Sequence, residues 1–371
     1  SPAIGGNMSR LDKTFPTNDC SMCMISPRMV ACARHPLIRT MTLSELMSLE
    51  GEPGRFKAKV KQYPRYVDQE ICIGCGQCVE KCPKKSPNDY NAGLDKRKAI
   101  YFLYPQAIPM VPCIDTETCI YFQKGRCRAC EKVCPVQAVR LEDQTRELDL
   151  PVGAVILAGG YELALVSGAG EYGHGRYPNV VNNLQYERML SATGPHGGHP
   201  RRPSDGGKPQ RIAWIQCVAS RDPARNRNFC SSVCCMAATK QALLTVEHDA
   251  EAEATIFYMD IRAHGKDFDR YVHRARDNYG VRFIPSMLSQ VVENPANRNL
   301  IVEYYNRRTL KHKQEEFDLV VLSAGMKPSE SMLPPIHRLG LAQNDYGFVV
   351  SDPERPGCTS REGVFVCGAL D

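Results

Sequence analysis

The sequence predicts an α/β protein in which a glycine-ended parallel sheet is interrupted by a small inserted α+β module. Two observations carry that prediction. The first is Cys72-Ile73-Gly74-Cys75-Gly76-Gln77-Cys78-Val79-Glu80-Lys81-Cys82-Pro83, which spells C-x2-C-x2-C-x3-C-P. Bacterial-type ferredoxins hold cubane iron–sulfur clusters with this spacing, the fourth cysteine ligating the other cluster of a pair. The second is a set of apolar runs that end in glycine, at Pro151–Gly160, Asp318–Gly325 and Gly363–Gly368. Rossmann-type sheets present backbone to a dinucleotide in this way.

The cysteine run has a second copy at Cys119, Cys127, Cys130 and Cys134, followed by Pro135. Val67–Ile73 matches Ile114–Ile120 at an offset of 47, whereas Cys75, Cys78, Cys82 and Pro83 match their counterparts at an offset of 52. The second copy therefore carries a five-residue insertion near Tyr121–Gly125, and Cys119 rather than Cys113 is the ligand. One [4Fe–4S] cluster is assigned to Cys72, Cys75, Cys78 and Cys134, the other to Cys119, Cys127, Cys130 and Cys82. A pair of zinc ribbons is the competing reading.

A chain of 371 residues is long enough for two or three domains. Its 18 cysteines cluster at metal spacing, which implies a reducing cytoplasm rather than a disulfide framework. The sequence has no run of 18 apolar residues, so no membrane span is expected. The formal charge of +6 invites a nucleic-acid partner. Three cubanes would contribute about −6 and cancel it, so none is expected. Ser1-Pro2-Ala3-Ile4-Gly5-Gly6 at one end and Cys367-Gly368-Ala369-Leu370-Asp371 at the other read as a dinucleotide fold cut short, hence as a fragment.

In order, residues 1–62 form part of a flavin domain, with the glycine pair Gly5-Gly6 placed for close backbone approach to a cofactor. A helix is expected over Pro27–Arg34 and a hairpin from Leu37–Thr42 and Arg55–Val60 about the Glu52-Pro53-Gly54 turn. Cys20 and Cys23 are either half of a cluster site or two ordinary thiols. Residues 63–140 are the inserted ferredoxin-like module, and 141–207 continue the flavin domain. The Gly168–Gly207 stretch is rich in Gly, Pro, His and Asn, and its His196 and His199 read as solvated loop residues. Residues 208–330 form a second α/β unit, and 331–371 return to the first.

In that second unit, the strand Arg211–Gln216 leads not to a Gly-x-Gly-x-x-Gly turn but to Cys217, with Cys230, Cys234 and Cys235 following at the start of a helix expected over Ser231–Val246. Helix N-terminal N–H groups favour thiolates and anionic clusters. These four cysteines are assigned a third [4Fe–4S] cluster, with a zinc site or redox dithiol as alternatives. Lys240, one turn past Met236 on the same face of that helix, is either a hydrogen-bond partner of flavin N5 or a solvated lysine.

Ile4–Met8, Leu11–Cys23, the paired cysteine motifs, Ile215-Gln216-Cys217, Cys230–Met236 and Phe257–Arg262 together resemble the A-type subunit of heterodisulfide reductase. The resemblance implies a thioredoxin-reductase-like FAD fold with an inserted dicluster ferredoxin domain. Its FAD would lie against Gly5, Gly6, Asn7, Gly159, Gly160, Gly325 and Gly368. It also implies a homodimeric cytoplasmic complex with the B and C subunits of that enzyme and a hydrogenase or formate dehydrogenase module. There the flavin would bifurcate electrons between a heterodisulfide (in methanogens) and ferredoxin. The first Gly-x-Gly-x-x-Gly, an N-terminal cluster domain and a C-terminal ferredoxin domain of that family have no counterpart in these residues. A flavin-free iron–sulfur wire and an NAD(P)H-dependent flavoprotein reductase are the rival functions.

Overall fold

The computed structural model describes residues 1–164, 170–286, 288–307 and 309–371, so the first residues of the Gly168–Gly207 stretch lie outside it. The chain divides into two compact units: Ser1–Ser9 with Cys23–Glu162 and Lys327–Asp371, and Arg10–Met22 with Leu163–Met326. The boundary expected at 207/208 therefore falls inside the second unit. Among the described residues no helix is long and apolar enough to cross a membrane.

The helix spans Ser21–Arg34, with Pro27 inside it, and from Cys23 onward belongs to the first unit. The hairpin forms about the expected turn, but its first strand is Ser44–Glu52 rather than Leu37–Thr42. Ser44–Glu52 buries Leu49 and pairs antiparallel with Arg55–Gln62, which pairs in turn with Arg146–Val152. Leu37 is 88% exposed and has no core to join. The short strands Val155–Leu157 and Val364–Val366 pair in parallel, and Leu157, Val364 and Val366 pack with Phe56, Ile336 and Leu370. A separate core of Val67, Ile100, Ile114, Ala138 and Val139 underlies the cysteine module.

The second unit is built on a five-stranded parallel sheet in the order Val180–Asn182, Leu319–Ala324, Arg211–Val218, Glu253–Tyr258, Arg282–Pro285. The Leu319–Ala324 strand is thus the neighbour of Arg211–Val218 and not a third member of the Val155–Leu157 and Val364–Val366 pair. A fully buried strand has the same apolar signature in either sheet. The helix Cys234–His248 covers one face, where Trp214 donates its indole N–H to Gln241 Oε1 at 3.0 Å. On the other, Ile215, Phe257 and Leu322 share a core with the antiparallel strands Leu288–Glu293, Leu300–Asn306 and Lys311–Phe317.

Candidate iron–sulfur and flavin sites

The two copies of the cysteine motif fold alike because their local hydrogen bonds repeat. Asp68 accepts from the Glu70 N–H at 3.0 Å through its side chain, and its carbonyl accepts from Cys72 N–H. Asp115 does the same for Glu117, at 3.1 Å, and for Cys119. Left-handed backbone at Gly74 and Gly76 then coils the first copy, and Gly76 opens the short helix Gln77–Lys81 that carries Cys78. In the second copy the Tyr121–Gly125 insertion forms most of a helical turn, Ile120–Lys124, closed by left-handed Gly125. Cys130 follows on the turn Ala129–Lys132.

The consequence is two small cavities, both walled by thiols and aliphatic side chains. Cys72, Cys75, Cys78 and Cys134 line the first, with Val67, Val136 and Val139. Cys82, Cys119, Cys127 and Cys130 line the second, with Ile100 and Ile114. Each motif sends its CP-terminal cysteine to the other motif's cavity. Cys113 lines neither; it is buried, with Tyr101 and Arg65 as electrostatic neighbours.

Among the described residues no three His, Cys, Asp or Glu side chains converge tightly enough for a single metal ion. The thiols surround a space instead, which suits a multi-atom core. Burial, then the neighbouring Cys130 and Cys72, pushes the Cys78 thiol up to about 12. Burial likewise holds Cys130 at about 11, with Cys119 and Cys82 adding to the rise. Four thiolates in such a space need a cationic core at their centre, and an iron–sulfur core meets that need.

The third group stands on the parallel sheet. Its helix begins at Cys234, three residues later than expected, because Ser232 takes a left-handed conformation and delays the first turn. Cys217 ends its strand with φ of 61°, and Ala219 and Arg221 follow at 51° and 57°. Residues with Cβ atoms here hold backbone that glycines take more easily, where the strand's register slips against Leu319–Ala324. The structure brings the four thiols together: burial first, then Cys235, Cys217 and Cys230, pushes Cys234 up to about 12. Burial also raises Cys235 to about 11, with Cys217 and Cys230 contributing. The Cys234 thiol donates to Ala324 O at 3.6 Å and that of Cys235 to Asp260 O at 3.8 Å.

For the flavin, Gly160 and Gly368 take left-handed φ of 66° and 75°, and a Cβ on either would meet nothing within 4 Å. Both follow the paired strands Val155–Leu157 and Val364–Val366, at the carboxyl end where open α/β sheets receive ligands. Gly6 is similarly open, and Asn7 ties its segment to the other by donating to Tyr161 O at 2.7 Å. Gly159 is packed instead, since a Cβ there would lie 2.2 Å from Met332 Cγ. At Gly5 the crowding comes from Tyr104 Oη, at 2.7 Å. These segments fit a dinucleotide-type cofactor. Gly325 belongs to the second unit, where a Cβ would press on Ser220, Ala219 and Ser231.

Lys240 is not solvated. It is 2% exposed, pairs with Glu187 Oε1 at 2.5 Å and donates to Lys13 O at 2.7 Å. Glu187 also accepts from Gln241 Nε2 at 2.8 Å and, through Oε2, from the Asp12 N–H at 3.0 Å. Sequence reasoning missed this cluster, because 53 residues separate Lys240 from Glu187 and neither stands in a motif. Cys20 and Cys23 are exposed at the start of the Ser21–Arg34 helix, and His196 and His199 are exposed as expected.

Residues 65–86 match the family model of the 4Fe-4S binding domain, and residues 171–370 that of the pyridine nucleotide-disulphide oxidoreductases. The chain is 42% identical to the A-type iron–sulfur subunit of the CoB–CoM heterodisulfide reductase of Methanocaldococcus jannaschii, over 99% of this chain and 55% of that protein. One of two A-type subunits of the same enzyme in Methanopyrus kandleri is 44% identical over 99% of this chain and 56% of its own length. The chain therefore spans about half the length of the curated relatives it matches. A thioredoxin reductase structure from T. acidophilum aligns over 100% of this chain and 80% of its own, at 13% identity and a TM-score of 0.47.

Proposed function

Because the chain belongs to the pyridine nucleotide-disulphide oxidoreductases, and among them to the A-subunit family of heterodisulfide reductase, we propose that it is the electron-transferring iron–sulfur flavoprotein part of such a protein. The observation that carries this reading is the pair of four-thiol cavities with exchanged CP cysteines. Cys72, Cys75, Cys78 and Cys134 would hold one [4Fe–4S] cluster and Cys82, Cys119, Cys127 and Cys130 a second. Cys217, Cys230, Cys234 and Cys235 would hold a third.

FAD would rest on the segments at Gly6, Gly160 and Gly368, and when bound supplies the exchange between electron pairs and single electrons. The chain's own part is to place the cofactors, exclude water with the aliphatic cavity walls and hold Lys240 against Glu187. Electron bifurcation toward a heterodisulfide and ferredoxin belongs to this proposal. So do a cytoplasmic homodimeric complex with the B and C subunits of heterodisulfide reductase, and delivery of electrons by a hydrogenase or formate dehydrogenase module.

The test is anaerobic purification of the natural protein, with iron, acid-labile sulfide, zinc and FAD measured together. Stoichiometric FAD and loss of about four irons in Cys234→Ala/Cys235→Ala are expected. Unchanged iron in that variant removes the third cluster. Absent FAD leaves an iron–sulfur wire, and zinc in place of sulfide overturns the cluster assignments.

A further inference from the structure

The connection between the two cysteine motifs reaches back to the segment that carries Gly5 and Gly6. Both backbone groups of Ile4 are held from it: the Ile4 N–H donates to Ile108 O at 3.0 Å, and the Tyr104 hydroxyl donates to Ile4 O. On the other side of the glycines the Tyr90 hydroxyl donates to Ser9 O, and Ser9 Oγ donates to Gly6 O at 2.8 Å. Tyr90 and Tyr104 are buried and stack on each other, with ring centroids 5.2 Å apart and planes 21° from parallel. Burial, then Tyr90, pushes the Tyr104 phenol up to about 12, so its hydroxyl stays protonated and a donor. All of these residues belong to the first unit.

The glycine pair needs such support. Gly5 and Gly6 take φ of 115° and 49°, and two glycines in a free loop have many conformations to lose. A cofactor that had to order them itself would lose affinity by that amount. Here the loop is fixed in advance, by Tyr104 on one side of the pair and Tyr90 on the other. The two glycines divide the work. Gly5 packs against the clamp, because a Cβ there would press on Tyr104 Oη and lie 3.0 Å from Met29 Sδ. Gly6 is left open, with nothing within 4 Å of a Cβ.

We propose that Tyr90 and Tyr104 are positioning residues for the flavin, through which the inserted module shapes the loop of a cofactor that it does not itself hold. The proposal rests on the flavin reading above. Its test is removal of FAD from the anaerobically purified natural protein and titration back, followed by quenching of flavin fluorescence, with iron measured in every sample. Tyr104→Phe keeps the stacked ring and deletes the bond to Ile4 O, and FAD is expected to bind about tenfold more weakly at unchanged iron content. At saturating FAD the circular dichroism induced in the flavin is expected to change as well, which a loss of stability alone would not produce. Tyr90→Phe is expected to act in the same direction. Tyr63→Phe, which loses only an exposed bond to Glu45, is expected to change neither readout. Unchanged affinity and dichroism in both Tyr90→Phe and Tyr104→Phe overturn the proposal, and so does loss of FAD only in step with iron. A parent protein that binds no FAD sinks the flavin reading itself, and the proposal with it.

Discussion

The two thiol-bearing regions solve one problem by different means. In the 63–140 module the ligating loops are local: Asx turns at Asp68 and Asp115 start each copy, glycines coil it, and Cys75 and Cys127 remain exposed. In the second unit Cys217, Cys230, Cys234 and Cys235 are gathered by a strand end, a loop and a helix start, and Cys234 and Cys235 are buried. A local site is written into residue spacing and tolerates changes in the scaffold. A site gathered by tertiary structure inherits the stability of the sheet and helix that support it.

The sharpest way to break this comparison is at the exchanged cysteines. Cys134→Ser is expected to remove about four irons and the spectrum of the first cavity, whereas Cys113→Ser leaves iron unchanged. Electron paramagnetic resonance of the reduced proteins, with iron analysis, checks both. A Cys134→Ser protein that lost the spectrum of the second cavity instead of the first would return each motif to its own cluster.

The scaffold of the third site gives the next largest effect. Trp214 is fully buried between strand and helix, and Trp214→Ala is expected to cost about 3–5 kcal/mol. Urea unfolding should show it, together with loss of iron from the third site before the ferredoxin-like module. Equal iron loss from both regions would erase the difference between a local and a gathered site.

A pH experiment probes the buried charges beneath that scaffold. Burial, then the charge of Glu187, raises the Asp12 carboxyl from 3.8 to about 6, against the pull of Lys240. Between those values the folded protein holds a proton that the unfolded chain has released, so this contribution to stability is present at low pH and is lost as pH rises through about 6. Asp12→Asn is expected to flatten the fall in urea midpoint between about pH 4 and 6, compared point by point with the parent. A parallel fall in both proteins would remove Asp12 as its source.

The smallest effect is expected in the local region. Arg97 pairs with Asp115 at 3.0 Å and stacks 3.8 Å from the centre of the Tyr101 ring. Arg97→Lys keeps the charge but loses the flat stack, at a cost of about 1 kcal/mol in unfolding free energy and with no iron lost.

What the sequence made legible follows the same divide. Spacing alone supplied the repeat, the insertion and the choice of Cys119 over Cys113, because each depends on neighbours a few residues away. Spacing could not assign Leu319–Ala324 to its sheet, since an apolar run ending in glycine reads the same beside Arg211–Val218 as beside Val155–Leu157. The Ser44–Glu52 strand was hidden by its polar residues, and only the partner strand Arg55–Gln62 makes it extended. The Lys240–Glu187 pair exists only once distant segments have met.

The exchange of Cys82 and Cys134 between cavities also separates two meanings of a repeat. The 65–86 segment that matches a family model contains four cysteines, yet only three of them line the same cavity. Excised as a peptide, that segment would lack the thiol that completes its cavity while carrying one meant for its twin. Duplication is visible here in the unit of inheritance, but neither copy can mature alone. Each cluster would be anchored in both copies, so the two halves are tied to one another through their ligands as well as through the chain.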